Sequence, residues 1–245
     1  AASDVYKRQV IVVILALLFI LWILGFKIID NDKVGIVEKW WSRKGSLNEQ
    51  IIALNGEAGY QPELLRGGIH FRSPLIYKIH VVPLVTIPQG KVAYVFARDG
   101  MSLDPTQTLG RVVKESNNFQ DVREFLNNGG QKGPQRGIIR EGTYAFNLAQ
   151  FVIITDTVTY CLKTGTKAEQ ETLKAMANLI HARKGFEPVI IQGNEDLVGI
   201  VTVHDGPSLG GENIICPTVG DDSSDPNYHN NFCLLYTSDA ADDLI

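Results

Sequence analysis

The chain has 245 residues, of which 44% are hydrophobic and 20% charged, enough to build one or two globular units. Its formal net charge of −4 argues against the basic surplus that nucleic-acid binding requires. The three cysteines, Cys161, Cys216 and Cys233, form no CxxC pair, which excludes a thioredoxin-type motif and leaves a zinc site without support. An odd, sparse count of cysteines predicts buried free thiols rather than a disulfide framework.

Both ends of the chain resemble translated sequencing-adapter sequence. We therefore predict non-native flanks at residues 1–9 and 233–245 and exclude them from reasoning about the fold. The residues between them are expected to be a window from a longer protein.

A charge-free apolar run of 17 residues extends from Val10 to Phe26 and continues through Lys27 to Ile29. About 20 residues at ~1.5 Å rise cover a hydrocarbon core of ~30 Å, so residues 10–29 are predicted to form a transmembrane helix. A signal peptide would need a small-x-small cleavage site, which is missing, and a core helix is rarely apolar on every side. The predicted membrane-anchor residues are Val10, Ile14, Leu17, Phe19, Leu21, Leu24, Phe26 and Lys27.

Basic residues follow this run closely: Lys27, Lys33, Lys39, Arg43 and Lys44. Under the positive-inside rule they predict a single-pass protein whose bulk domain is cytoplasmic. Trp40 and Trp41 lie just beyond the run, where indole rings can rest on the bilayer surface. Packing of the two rings in a core is the alternative.

The rest of the chain predicts a mixture of strands and helices. Residues 75–87 show partial alternation typical of a half-buried strand, with Pro83 indicating an edge or a bulge. Short helices are predicted at 120–127 and 135–150, followed by strands at 151–160 and 186–203. Without regular alternation of the two element types, the pattern favours an α+β fold.

A capping-box pattern at Thr166 to Glu169 predicts the start of an amphipathic helix. Its apolar residues recur at helical spacing: Leu173, Met176, Ala177 and Ile180. Gly185 is placed to end it. We expect this helix to pack on the sheet; a partner-binding face is the alternative.

An internal repeat links two segments, 92–103 and 198–209, which share Val, Val, Asp, Gly, Ser and Leu at equal spacing. A looser third copy covers 34–47. Each copy is an apolar run that ends in a turn signal such as Asp99-Gly100, which is typical of a strand-turn unit.

No catalytic, cofactor or metal site is predicted. The glycines at 129–137 lack the order of a phosphate-binding loop, although Lys132 and Arg136 would be its anion-facing residues. The histidines (His70, His80, His181, His204 and His229) show no metal-ligand spacing. Ser208 is not in a nucleophile elbow, and His204 and Asp205 are adjacent on a predicted strand, so they face opposite ways.

Several strings together resemble the SPFH domain of stomatins, prohibitins and flotillins. They are DKVGIVEKW, GGIHFRSPLIYKIHVVPL with Gly68, His70, Phe71 and Pro74, and VAYVFARDG, NNFQD, GPQRGIIREGTYAFNLAQF and GFEPVIIQGNEDLVGIVTVHDGPSL. The likeness, nearest to the bacterial flotillin-like branch, covers residues 10–232. It implies an SPFH-like first part at 30–160, a helical connector at 161–185 and a truncated, repeat-related β-rich part at 186–232.

The resemblance implies a membrane-anchored, non-enzymatic scaffold of the bacterial cell membrane. Such a protein would organise membrane microdomains or a partner complex through homo-oligomerisation, and its partners would be the lipid bilayer and a membrane protease or its regulator. The family's long coiled coil has no counterpart in this chain. Two other classes stay open: a signal-anchored extracytoplasmic hydrolase and an anchored ligand-binding module.

Overall fold

The computed structural model describes residues 2–104, 107–162 and 165–188 as a sheet-rich α+β fold. Its helices are α1 (Ala2–Leu24), α2 (Val122–Asn127) and α3 (Lys167–Ala182), with a short 3₁₀ turn at Lys114–Ser116. Its strands are β1 (Phe26–Ile29), β2 (Lys33–Lys39), β3 (Gly59–Leu65), β4 (Gly68–Phe71), β5 (Tyr77–Pro83), β6 (Val85–Ile87), β7 (Ala93–Ala97), β8 (Gly133–Ile139), β9 (Gly142–Tyr144), β10 (Phe151–Ile154) and β11 (Thr159–Tyr160).

The predicted transmembrane helix over residues 10–29 is wrong. Helix α1 begins at Ala2, inside the predicted flank, and ends at Leu24, because Gly25 turns the chain at a φ of 68° into strand β1. The predicted anchor residues Phe26 and Lys27 therefore lie in a strand. Within the described residues, no helix is both long and apolar enough to cross a bilayer, so the predicted single-pass localisation with a cytoplasmic domain is not supported.

The four-stranded sheet, in the order β11-β10-β7-β8, is antiparallel and covered on both faces. Because side chains alternate along a strand, Phe151 and Ile153 of β10 point into the main core, and Val152 and Ile154 point to the other side. All four are fully buried. The main core is built around the rings of Phe119, Phe125 and Phe151. The Phe151 ring meets each of the other two edge to face and lies at a centroid distance of 5.0 Å from the Phe125 ring.

Helix α3 covers the second face of this sheet, as its apolar spacing predicts. Leu173, Met176, Ala177 and Ile180 pack with Val152, Ile154 and Phe186. Its N-cap is also confirmed, since the Thr166 side chain accepts a hydrogen bond from the Glu169 N–H at 3.2 Å. The Glu169 carboxylate binds the Arg98 guanidinium rather than completing the capping box.

A second, three-stranded sheet has the order β3-β2-β5. The predicted strand at 75–87 divides after Pro83, so that β5 is an edge strand of this sheet and β6 pairs with β9 elsewhere. An edge position for Pro83 is as predicted, since proline has no N–H to donate to a ladder.

Two sequence predictions fail in the middle of the chain. The helix predicted at 135–150 is instead strand β8, strand β9 and a buried turn, because residues 133–139 pair along β7. The single strand predicted at 151–160 is the hairpin of β10 and β11.

The repeat is described only in part. The copies at 92–103 and 34–47 each form a strand followed by a turn, β7 before Asp99-Gly100 and β2 before Gly45. The copy at 198–209, most of the strands predicted at 186–203 and the flank at 233–245 lie outside the described residues.

Asp99 fastens the loop between β2 and β3 to the sheet. This side chain is 8% exposed, and its carboxylate accepts hydrogen bonds from the N–H groups of Ile51, Ile52 and Gly100 at 2.9–3.1 Å. Its carbonyl accepts another from the Gln150 side chain at 2.7 Å. One acidic residue thus satisfies three backbone donors.

We expect Asp99→Ala to destabilise the fold by about 3–5 kcal/mol, because three N–H groups lose a charged acceptor and water replaces it only in part. Urea denaturation measures the change. The control is Asp104→Ala, an exposed position that should shift stability by less than about 0.5 kcal/mol. Equal midpoints for the two variants would contradict the role of Asp99.

Lys91 joins the segment that follows α3 to the β10–β11 turn. Its ammonium lies 2.8 Å from Glu187 and 3.1 Å from Asp156. The hydrogen bonds to Glu187 and Asp156 raise the pKa of Lys91, and the bond from Lys91 lowers the pKa of Glu187.

This contact should depend on pH at both ends of the range. A lowered Glu187 pKa means that its stabilisation is present above the ordinary value of 4.5 and is lost as pH falls through the lowered pKa. A raised Lys91 pKa means that its contribution is present below 10.5 and is lost as pH rises through the raised pKa. Amide exchange at Gly185, corrected for intrinsic rates, should accelerate on acidification. Lys91→Gln should abolish that response and Lys174→Gln should keep it.

Candidate functional site

The apolar side chains of α1 from Val10 to Ile20 are exposed, and we call this part of the helix the rod. Ten large apolar side chains between Val10 and Ile20 are each 50–62% exposed. Four of the predicted anchor residues, Val10, Ile14, Leu17 and Phe19, are among them. The other two helical ones, Leu21 and Leu24, lie in α1 where side chains are not described. Since successive residues turn by about 100° around a helix, Val10 to Leu15 together cover its whole circumference.

The ribbon of β1 and β4 extends this apolar surface towards the rest of the described structure, residues 30–188, which we call the body. Its register pairs Phe26 with Phe71 and Ile28 with Ile69, and cross-strand partners share a face. All four side chains are 46–60% exposed, and the two phenylalanine rings meet edge to face at 5.6 Å. Of these four residues, only Phe26 was predicted as a site residue. Ile69 and Phe71 alternate with other residues in β4, which is a sequence signal for an apolar strand face. Only the pairing of β4 with β1 shows that the two strands share one such face.

Trp40 and Trp41 lie at the end of β2 and are both 60% exposed. Core packing, the alternative for these rings, therefore does not apply. Leu75, which is 65% exposed, adds another apolar side chain in the nearby turn at 73–77. Contact of the tryptophans with a membrane surface stays a prediction.

Gly25 determines how the rod meets the body. Its carbonyl accepts a hydrogen bond from the Arg72 N–H at 3.0 Å, which continues the β1–β4 pairing by one residue. A Cβ at this position would collide with the Arg72 carbonyl, so the approach requires glycine. The rod and the turn that begins at Arg72 are thereby held against each other.

The glycine-rich segment at 129–137 serves packing. A Cβ on Gly130 would strike the Phe125 ring, and one on Gly137 would strike Phe119. Lys132 is exposed, and Arg136 is a partly buried residue of β8.

The described histidines have separate surroundings. His70 Nε2 lies 2.7 Å from the Arg66 carbonyl, His80 Nε2 lies 2.7 Å from Glu38, and His181 lies 3.6 Å from Asp156. In the described ranges no group of three His, Cys, Asp or Glu side chains could hold a metal ion. Cys161 is a free thiol, but it is exposed, so the predicted burial is wrong for this cysteine. Cys216, Cys233, His204, Asp205, Ser208 and His229 lie outside the described residues.

Compared with protein-family models, with curated proteins and with solved structures, the chain gives no match in any of the three. The resemblance to the SPFH domain therefore stays a prediction.

We expect Gly25→Ala to break the junction between the rod and the body. The control is Gly45→Ala, where φ is 85° and a Cβ would meet nothing within 4 Å. Both variants place alanine in the left-handed region at a cost of about 1–2 kcal/mol, so the difference between them isolates the collision with Arg72. Exchange of the Arg72 amide should be more than about tenfold faster in Gly25→Ala, the factor that 1.4 kcal/mol produces. Equal rates would contradict the role of Gly25.

Proposed function

We propose that this protein is a non-enzymatic scaffold that attaches to lipid bilayers and organises protein complexes there. The observation that carries the proposal is the apolar rod of α1, whose side chains from Val10 to Ile20 are exposed on every side. A surface of this kind needs an apolar environment. The proposal concerns contact with lipid and assigns the helix no passage across the bilayer.

Lipid fits this surface better than a protein partner does. A helix that packs on another protein normally keeps a polar face towards water, and a coiled-coil helix shows an apolar seam with charged flanks. No polar face exists between Val10 and Ile20. Lipid acyl chains, unlike a single protein surface, can contact apolar side chains on several sides of a helix, and the side chains from Val10 to Ile20 are exposed on several sides.

The energetics are sufficient for stable attachment. Complete burial of one large aliphatic side chain contributes about 1.5–3 kcal/mol, so a half-exposed one contributes roughly 1 kcal/mol. Ten such side chains on α1 exceed the effect of a single acyl chain, which gives only marginal binding. The apolar face of the β1–β4 ribbon and the indoles of Trp40 and Trp41 would add contacts at the bilayer surface.

Assembly is the second part of the proposal and rests on the SPFH resemblance. Copies attached to the same surface meet at a raised effective concentration, so weak contacts between them suffice for homo-oligomers. A membrane protease or its regulator is the partner that the resemblance favours. The proposal contains no bond-making step.

We expect the purified protein to float with phosphatidylcholine vesicles in a density gradient, and Leu17→Asp to weaken this binding about 100-fold. Moving a carboxylate from water into lipid hydrocarbon costs about 3 kcal/mol. The matched control is Leu179→Asp, which changes a side chain of similar exposure, 52%, on α3.

Two outcomes would overturn the proposed attachment. Wild-type protein that stays at the bottom of the gradient does not bind lipid. Leu17→Asp and Leu179→Asp variants that float equally well would mean that α1 is not the attachment element.

A further inference from the structure

A cavity of about 430 Å³ opens beside the junction of α1 and the body. Three basic side chains line it: Lys27 from β1, Arg72 from the turn after β4, and Lys78 from β5. Aromatic rings of Phe26, Trp40 and Tyr77 form much of the remaining wall. No acidic residue is among the described residues that line the cavity.

Two of the three cations are held by aromatic rings. The Arg72 guanidinium carbon lies 5.8 Å from the centroid of the Tyr77 ring, and the Lys78 ammonium lies 5.8 Å from that of Trp40. Cation–π contacts position a positive charge without neutralising it, whereas an ion pair would cancel it. These charges therefore stay available to an anion.

Glu38 is the acidic residue placed to compete for Lys78, since the two are cross-strand partners in β2 and β5. Its carboxylate instead lies 2.7 Å from His80 Nε2, and it lines a neighbouring cavity with Tyr60. The basic character of the first cavity is thus preserved.

The position of the cavity favours an anionic lipid over a small, fully polar anion. Gly25 also lines it and joins the apolar rod directly to Arg72, so the basic groups sit where the rod ends. The exposed faces of Phe26 and Trp40 border the same opening. A ligand with a negative head and apolar tails would meet charge in the cavity and apolar surface beside it, as an anionic phospholipid does.

We infer that this cavity binds the phosphodiester headgroup of an anionic phospholipid through Lys27, Arg72 and Lys78. The inference rests on the proposed attachment to lipid and deepens it, because the rod supplies affinity for any bilayer and the cavity supplies preference for anionic ones. Arginine provides a forked donor to two phosphate oxygens, and the lysines provide point charges.

Vesicle flotation with two lipid compositions tests the inference. Wild-type protein should bind vesicles of phosphatidylcholine mixed with phosphatidylglycerol more tightly than vesicles of phosphatidylcholine alone. Each basic residue near an anionic surface contributes about fivefold, so Arg72→Gln with Lys78→Gln should reduce the preference about 25-fold. Binding to phosphatidylcholine alone should fall much less, because the choline ammonium offsets the negative charge of its phosphate.

The matched control is Lys132→Gln with Lys174→Gln, which removes the same charge from two exposed positions. Lys132 directly precedes β8, and Lys174 lies on α3. It should keep most of the preference. Lys27→Gln is an independent third variant and should lose about fivefold by itself. Circular dichroism of every variant shows whether it folds as the wild type does.

The possible failures are distinguishable. Wild-type protein that binds neither vesicle overturns the proposed attachment together with the headgroup site. Equal binding to both vesicles, or equal losses in the two double variants, overturns the headgroup site and leaves the attachment standing. If inorganic phosphate at equal phosphorus concentration abolishes the preference, the ligand is free phosphate and the lipid assignment is overturned.

Discussion

The close contact between Gly25 and the Arg72 backbone is the constraint on which the arrangement of rod, ribbon and cavity depends. Glycine permits both the left-handed turn that ends α1 and the approach to the Arg72 carbonyl. From there β1 pairs with β4, which collects exposed apolar side chains on one face. The same contact places Arg72 at the cavity, so one backbone junction determines the geometry of both surfaces.

The body provides a rigid support for these surfaces. Its four-stranded sheet is buried between an aromatic core and α3, and the loop between β2 and β3 is held by the Asp99 carboxylate. The turn before α2 adds a strained element: Asn117, Asn118 and Phe119 all have positive φ values, of 48–64°. Asparagine adopts this conformation readily, whereas at Phe119 it costs about 1–2 kcal/mol, which burial of the ring against Phe125 and Phe151 offsets.

Apolar surface and charge lie in two neighbouring regions of the structure, which is the arrangement that the proposed attachment to a bilayer requires. The rod and the ribbon face carry apolar side chains, and the cavity next to them carries cations held over aromatic rings. Hydrocarbon provides most of the binding free energy and shows little chemical preference, whereas a charged cavity provides selectivity with little area. A scaffold with both an apolar surface and a charged cavity would attach to a bilayer and select the lipids around it.

The sequence by itself determined the elements whose signals are local. The cap at Thr166, the apolar spacing of α3, the edge position of Pro83 and the apolar character of residues 10–24 all follow from neighbours within a few positions. The tertiary structure alone decided where the apolar helix ends, since the apolar pattern runs through Gly25 unbroken and only pairing with β4 turns Phe26 to Ile29 into a strand. It also decided that residues 133–139 and 142–144 are strands and that Lys27, Arg72 and Lys78 share one cavity. Strand pairing and cavity walls join residues tens of positions apart, and local periodicity carries no information about such partners.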